Sequence, residues 1–367
     1  MGRSVRLTRS RHRDHLHWPG VIFVLLTLLI GGAALQRGES LLIWVFASLL
    51  AWILVSGVIS GWMMLGVRAR RIAPSHGEVG RALRLRYEVS SLSRLWPIFD
   101  LRIVESGRTE CEPATVMHCG IGEQVVAECT CVPTGRGRLE LTAMRAKSGF
   151  PFGLLLKSVE SVQRDEIIVH PTITPLRGDA LQRLFAGRGG EGRSASAVRG
   201  AGEEFHGLRE FRSGDALRAV AWRRSASREA LVVIERSAPA PRRLALALDL
   251  RMTDPPHTRE QEEVAIAMTA SLLHNGQRSG WEVGLRVIGV NHTPSTMLSS
   301  RRHLVELLDQ LALIDLDRAR TREGLERSRS SASSIVIHPG EPRALAAPSD
   351  ALCIAATTIK SLHEVTA

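Results

Sequence analysis

The chain has 367 residues, 44% apolar and 23% charged, which excludes a disordered chain and leaves room for more than one folded domain. Its net charge is +11, yet only three of its 48 basic residues are Lys (Lys147, Lys157 and Lys360), and acids interleave with the Arg in most segments. That spread lacks the concentrated basic face of a nucleic-acid binder, so no nucleic-acid partner is expected.

Residues 1–17 form a basic tail with Arg3, Arg6, Arg9, Arg11 and Arg13. Two uncharged runs follow, Trp18 to Leu35 and Leu41 to Val67. Each is long enough to cross the roughly 30 Å hydrocarbon layer as a helix. No convincing small-residue cleavage site separates them, so residues 18–67 are read as a transmembrane hairpin rather than a signal peptide. Arg flanks both outer ends, with Arg68, Arg70 and Arg71 after the second run, while the link "QRGES" carries one Arg and one Glu. The positive-inside rule then places both ends, and the soluble domains, in the cytoplasm of a multi-pass inner (plasma) membrane protein. The five Cys are an odd number, and a reducing compartment disfavours disulfides, so Cys129 and Cys131 are read as small core residues.

Residues 72–185 alternate apolar and polar side chains in short runs, such as Leu83, Leu85, Tyr87 and Val89, punctuated by Gly and Pro. This predicts an antiparallel β-sandwich. Residues 186–202 are Gly-rich and read as a linker. Residues 203–236 form a dense charged segment, and from 202 to 229 it holds six Arg and five acids. The near balance of sign predicts Arg–carboxylate pairing, with Phe and Trp side chains anchoring the segment between two domains. Ser213–Gly214–Asp215 reads as a turn before a short helix whose buried side is Leu217, Val220 and Ala221. From 237 to 367, apolar strands alternate with helices, which predicts a doubly wound α/β domain.

Doubly wound sheets bind ligands beyond the carboxyl ends of their strands. That place holds "ALDLRMTD", with Asp249, Arg251 and Thr253. A von Willebrand factor A domain puts D-x-S-x-S here and holds a divalent cation through its oxygens. Asp249 and Thr253 fit the first and fifth positions, but the fixed cation of Arg251 at the third opposes a metal. The position is read as a degenerate site, without metal or cofactor, and an Arg–carboxylate pair is expected in its place.

The charged segment also carries a resemblance. Gly202, Glu204, Phe205, Leu208, Arg209, Glu210, Phe211, Gly214, Asp215, Arg218, Val220, Trp222 and the Ser225–Ala226 pair follow the signature of the domain of unknown function 58 family of bacterial membrane proteins. "GFPFGLL" at 149–155 and "VHPTITPL" at 169–176 are similar to further segments of that family, and Ala221 and Arg228 depart from its pattern. The resemblance implies a membrane hairpin, a β-sandwich and a von Willebrand factor A-like domain. It also implies a non-enzymatic adaptor or assembly role beside a MoxR-type AAA+ ATPase, in cell-envelope maintenance, with a transglutaminase-like membrane protein as a further partner. Interaction is expected at Glu204, Phe205, Arg209, Glu210, Phe211, Gly214, Asp215, Arg218 and Trp222. Two alternatives stand beside this reading: an envelope-associated enzyme using carboxylates of 203–215, and a basic nucleic-acid binder.

Overall fold

The computed structural model describes residues 11–16, 18–93, 96–106, 111–177, 179–186, 198–213, 215–227, 230–238, 242–253, 256–290, 293–317, 320, 333–340 and 351–358; for 11–16, 186, 198–207 and 235–238 it describes the backbone only. Two compact units divide at Pro171 and Thr172.

The first unit opens with strand β1 (Arg11–Leu16), then helices α1 (Trp18–Arg37) and α2 (Ser40–Leu65). With 20 and 26 residues, both helices are long and apolar enough to cross a membrane. Two of their hydroxyls are satisfied within the helices. The hydroxyls of Thr27 and Ser48 donate to the carbonyls of Phe23 and Trp44, four residues back. Small residues set the helix contact: a Cβ added at Gly31 would meet the Phe46 ring of α2 at 2.6 Å.

Eight strands follow: β2 (Val67–Ile72), β3 (His76–Glu78), β4 (Leu83–Ser91), β5 (Ile98–Ser106), β6 (Ala114–Cys119), β7 (Gln124–Cys131), β8 (Gly137–Ser148) and β9 (Leu155–His170). They form one sheet in the order β1-β9-β8-β5-β6, with β3 alongside β9, and a second in the order β2-β4-β7. All pairings are antiparallel except β3 with β9. The alternation read from sequence holds in β4, where Leu83, Leu85, Tyr87 and Val89 are buried with Ile98, Leu101, Ile103 and Ile167. The expected basic tail is in part strand, because β1 pairs with residues 155–160 of β9; residues 1–10 lie outside the described residues.

Two expectations in this unit are corrected. Cys131 is buried as a core residue but forms a disulfide with Cys111, whose separation of 20 residues hid the pairing. Arg71, read as a flanking cation of the hairpin, is 2% exposed. Strand β2 continues straight from α2 and carries Arg71 inward. Its guanidinium meets Glu105 at 2.5 Å and Asp165 at 2.8 Å and donates to the carbonyls of Leu141 and Gln163. Tyr87 donates to the other Glu105 oxygen at 2.8 Å, and Gln163 exchanges hydrogen bonds with the Arg71 backbone. Burial opposes the charge on Arg71, and the bonds and charges of Glu105 and Asp165 outweigh it.

The second unit begins before the charged segment. Leu176 and the short helix α3 (Ala180–Ala186) join its core, so residues 172–185, read as the tail of the β-sandwich, pack here instead. Of the expected linker, 187–197 lies outside the described residues and 198–202 opens strand β10 (Val198–Glu210). A short helix α4 (Trp222–Ala226) and strand β11 (Val232–Ala238) follow. Next come β12 (Arg243–Asp249), α5 (Arg259–Arg278), β13 (Glu282–Ile288), α6 (Arg301–Ala312), β14 (Ser333–His338) and β15 (Leu352–Ala355). The last four strands make a fully parallel sheet ordered β13-β12-β14-β15. Both neighbours of the central β12 come later in sequence, which places a change of strand order at its end. Helix α5 opens with a capping box between Thr258 and Gln261 and buries Ala265, Ile266, Met268, Leu272 and Leu273. Val264 of the same helix is exposed.

Candidate functional site

The charged segment folds as an antiparallel pair, β10 with β11, capped by a compact excursion from Phe211 to Leu231. Two register shifts, at Arg199/Glu204 and Phe205/Gly207, explain why it lacks strand periodicity in sequence. The excursion is pinned at three places. Phe211 N–H donates to the Leu231 carbonyl and Ala221 N–H to the Val232 carbonyl, both at 2.8 Å. The buried hydroxyl of Ser225 accepts from Val232 N–H at 2.9 Å and donates to the Ala221 carbonyl at 3.1 Å. Arg209 grips Asp215 with two bonds of 2.7 Å, and Asp215 also accepts from Arg212 N–H at 2.8 Å. These bonds from Arg209 and Arg212 bring the Asp215 pKa down to about 2.

The Arg–carboxylate fork is thus present, as Arg209 with Asp215. The aromatic part of the expectation is corrected. Trp222 is 61% exposed and Leu217 is 64% exposed, although both were expected to be buried anchors. Only Val220 of the expected buried face is fully covered, bridged to Val233, because the residues from 217 to 219 form a 3₁₀ turn that faces Leu217 outward. Arg218, Arg223 and Arg224 are exposed, as is Glu210, and Phe211 is half-buried. Glu204 and Phe205 occupy β10 opposite Ser237 and Arg236, with side chains outside the described ones; Gly214 lies outside the described residues too.

A second cluster sits at the carboxyl ends of the parallel strands. Asp249 closes β12 and is nearly buried. Arg251 takes both of its oxygens, through Nε at 2.9 Å and a terminal nitrogen at 2.6 Å. His338, at the end of the neighbouring β14, brings Nδ1 to 3.2 Å of Asp249. Burial alone would raise the Asp249 pKa, but the bonds from Arg251 and His338 hold it well below the usual carboxylate range. Gly289, at φ +90°, lets the end of β13 approach this loop: a Cβ there would lie 2.6 Å from Arg251 N. Next to it, buried Glu262 pairs with Arg320, and burial lowers the pKa of His257. Thr253 is described but half-exposed.

The two regions lie in one stretch of sequence that has relatives. Residues 207–339 match the family described as a protein of unknown function, DUF58. Over this region the chain is similar to the DUF58 family. No curated protein matches the chain. The DUF58 stretch spans the excursion, β11, β12, α5, β13, α6 and β14, so it contains both the Arg209–Asp215 fork and the Asp249–Arg251 pair.

Sequence reasoning placed Asp249 and Arg251 together correctly but missed His338, Glu262 and Arg320. The "IHP" ending of an apolar strand was the available signal for His338, since a neighbouring parallel strand ends at the same level. At the Asp249 position both carboxylate oxygens accept from Arg251, whose fixed positive charge opposes a metal cation there. In the first unit the sulfurs of Cys111, Cys129 and Cys131 lie within 4.8 Å of one another, and the disulfide engages two of the three.

Proposed function

We propose that this chain is a membrane-anchored, non-enzymatic adaptor whose second unit, von Willebrand factor A-like in layout, docks a MoxR-type AAA+ ATPase. The observation that carries this reading is the exposed Trp222 with Leu217, set among Arg218, Arg223 and Arg224 on an excursion held rigid by Ser225 and the Arg209–Asp215 fork. Trp and Arg on a rigid support are the residue types that dominate protein interfaces. The exposed guanidinium groups favour an acidic partner surface. The carboxylates Asp215, Asp249 and Glu262 are each held by a guanidinium, which leaves them poorly placed for acid–base work. The two apolar helices supply the anchor, and their Arg-rich flanks favour a cytoplasmic orientation.

The test is capture of partners by the full chain after mild detergent extraction, with wild type beside Trp222→Ala. An AAA+ ATPase recovered with the wild type and lost with Trp222→Ala, at unchanged thermal stability, is the expected result. Equal recovery by both chains removes Trp222 from the docking face, and repeated absence of any ATPase removes the adaptor reading.

A further inference from the structure

The first unit meets its own helices in a way that fixes a depth. The loop between β8 and β9 reads Gly149-Phe150-Pro151-Phe152-Gly153-Leu154. Its tip, Phe152, packs edge-on against Trp52 of α2 with ring centroids 4.8 Å apart, and remains 48% exposed. Further back, a Cβ at Gly20 of α1 would collide with the Leu154 carbonyl. A Cβ at Gly57 of α2 would lie 3.6 Å from Leu155, and Lys157 Nζ donates to the Gly57 carbonyl at 2.9 Å. Since Gly31 faces Phe46 in the antiparallel hairpin, Gly20 and Gly57 lie at one level, consistent with their shared contact on this loop. Trp52 and the Phe152 tip then lie about 7.5 Å nearer the Gly38 turn, at 1.5 Å per helical residue.

That depth is incompatible with a tip in water if the hairpin crosses a bilayer. Placing the water boundary at Trp52 would leave the stretch from Ser40 to Trp52, about 18 Å of helix, to span a hydrocarbon layer of about 30 Å. A full crossing from Ser40 instead brings the boundary near Ser60, above the loop. We propose that the Phe150–Leu155 loop is a wedge seated in the bilayer interface, its Phe152 among the upper acyl chains. Lys157 then sits at the Gly57 level, where a long cationic side chain can reach headgroup phosphates. An open cleft of about 400 Å³ behind the tip is lined by Gly149, Gly153, Leu156, Arg102, Lys147 and Asp100, among others. Asp100 lies 3.6 Å from Arg102, so the cleft keeps a net basic lining suited to the same phosphates. The wedge rests on the reading of α1 and α2 as a membrane anchor.

The test uses the full chain reconstituted in phosphatidylcholine–phosphatidylglycerol vesicles. An environment-sensitive fluorescent amino acid replaces Phe152 in one preparation and Val45 of α2 in another. Quenching by acyl-chain nitroxides is compared with quenching by aqueous iodide. The expected result is several-fold stronger quenching by the lipid nitroxide at both positions. Lipid quenching at 45 with iodide quenching at 152 overturns the wedge and leaves the anchor standing. Iodide quenching at both positions overturns the anchor, and the wedge with it.

Discussion

The hub around Arg71 and the fork between Arg209 and Asp215 use the same chemistry in opposite surroundings. In the first, Arg71 and Glu105 have fully covered side chains, and each nitrogen of the guanidinium has a carboxylate or carbonyl partner. In the second, the paired side chains keep 32% and 18% of their surface in water. Desolvation makes the buried pair costly to break, because removing one member strands a charge that water cannot reach. Solvent screens the exposed pair, so its value is in geometry, holding the Trp222 excursion in one shape. The Asp249–Arg251 pair lies between them, with 6% and 13% of the side chains exposed.

Substitution ranks the three. Arg71→Met strands Glu105 in the core and is expected to cost about 3–5 kcal/mol, read by chemical unfolding of the full chain in detergent. Arg70→Met is the control: its side chain is 66% exposed and 4.0 Å from Glu88, so a change within about 0.5 kcal/mol is expected. Equal losses in the two variants would break the comparison. Asp249→Asn keeps the shape but removes the counter-charge of a guanidinium that retains some contact with water. About 1–3 kcal/mol is expected, smaller than for Arg71. Because the Asp249 pKa lies below the ordinary range when folded, its contribution is complete at neutral pH and fades as pH falls below the ordinary carboxylate value toward the folded one.

The ranking also marks what could be read from residue order. The hairpin, the alternating strands and the βα alternation were legible because each is a periodic pattern that burial imposes on neighbouring residues. Asp249 and Arg251 were legible as a pair because they are two residues apart on one strand end. Arg71 was not: its partners Glu105 and Asp165 are 34 and 94 residues away, and its position beside an apolar run imitates a membrane flank. His338 stayed hidden for the same reason, since only the parallel register of β12 and β14 brings it to Asp249. Leu217 was misplaced because helical periodicity was assumed where a 3₁₀ turn lies, and Trp222 because a large aromatic in a charged segment was taken for an anchor.

The smallest effect on stability, and the sharpest test of the exposed fork, is expected from Asp215→Asn. The folded carboxyl has its pKa near 2 against an ordinary 3.8, so folding favours the ionised form. The sign follows: the fork contributes in full above about pH 4 and is lost as pH falls toward 2, when the folded group takes its proton. The gap in unfolding midpoint between wild type and Asp215→Asn should therefore be small and flat at neutral pH and close on acidification. A local readout separates this from general acid unfolding. Asp215 accepts the Arg212 amide, so exchange of that amide with deuterium should quicken in the variant at neutral pH, while the amide of Val232, held by Ser225, stays protected. If Arg212 exchange is unchanged, the fork does not order the turn, and the rigidity behind Trp222 rests on Ser225 and the backbone bonds of the excursion alone.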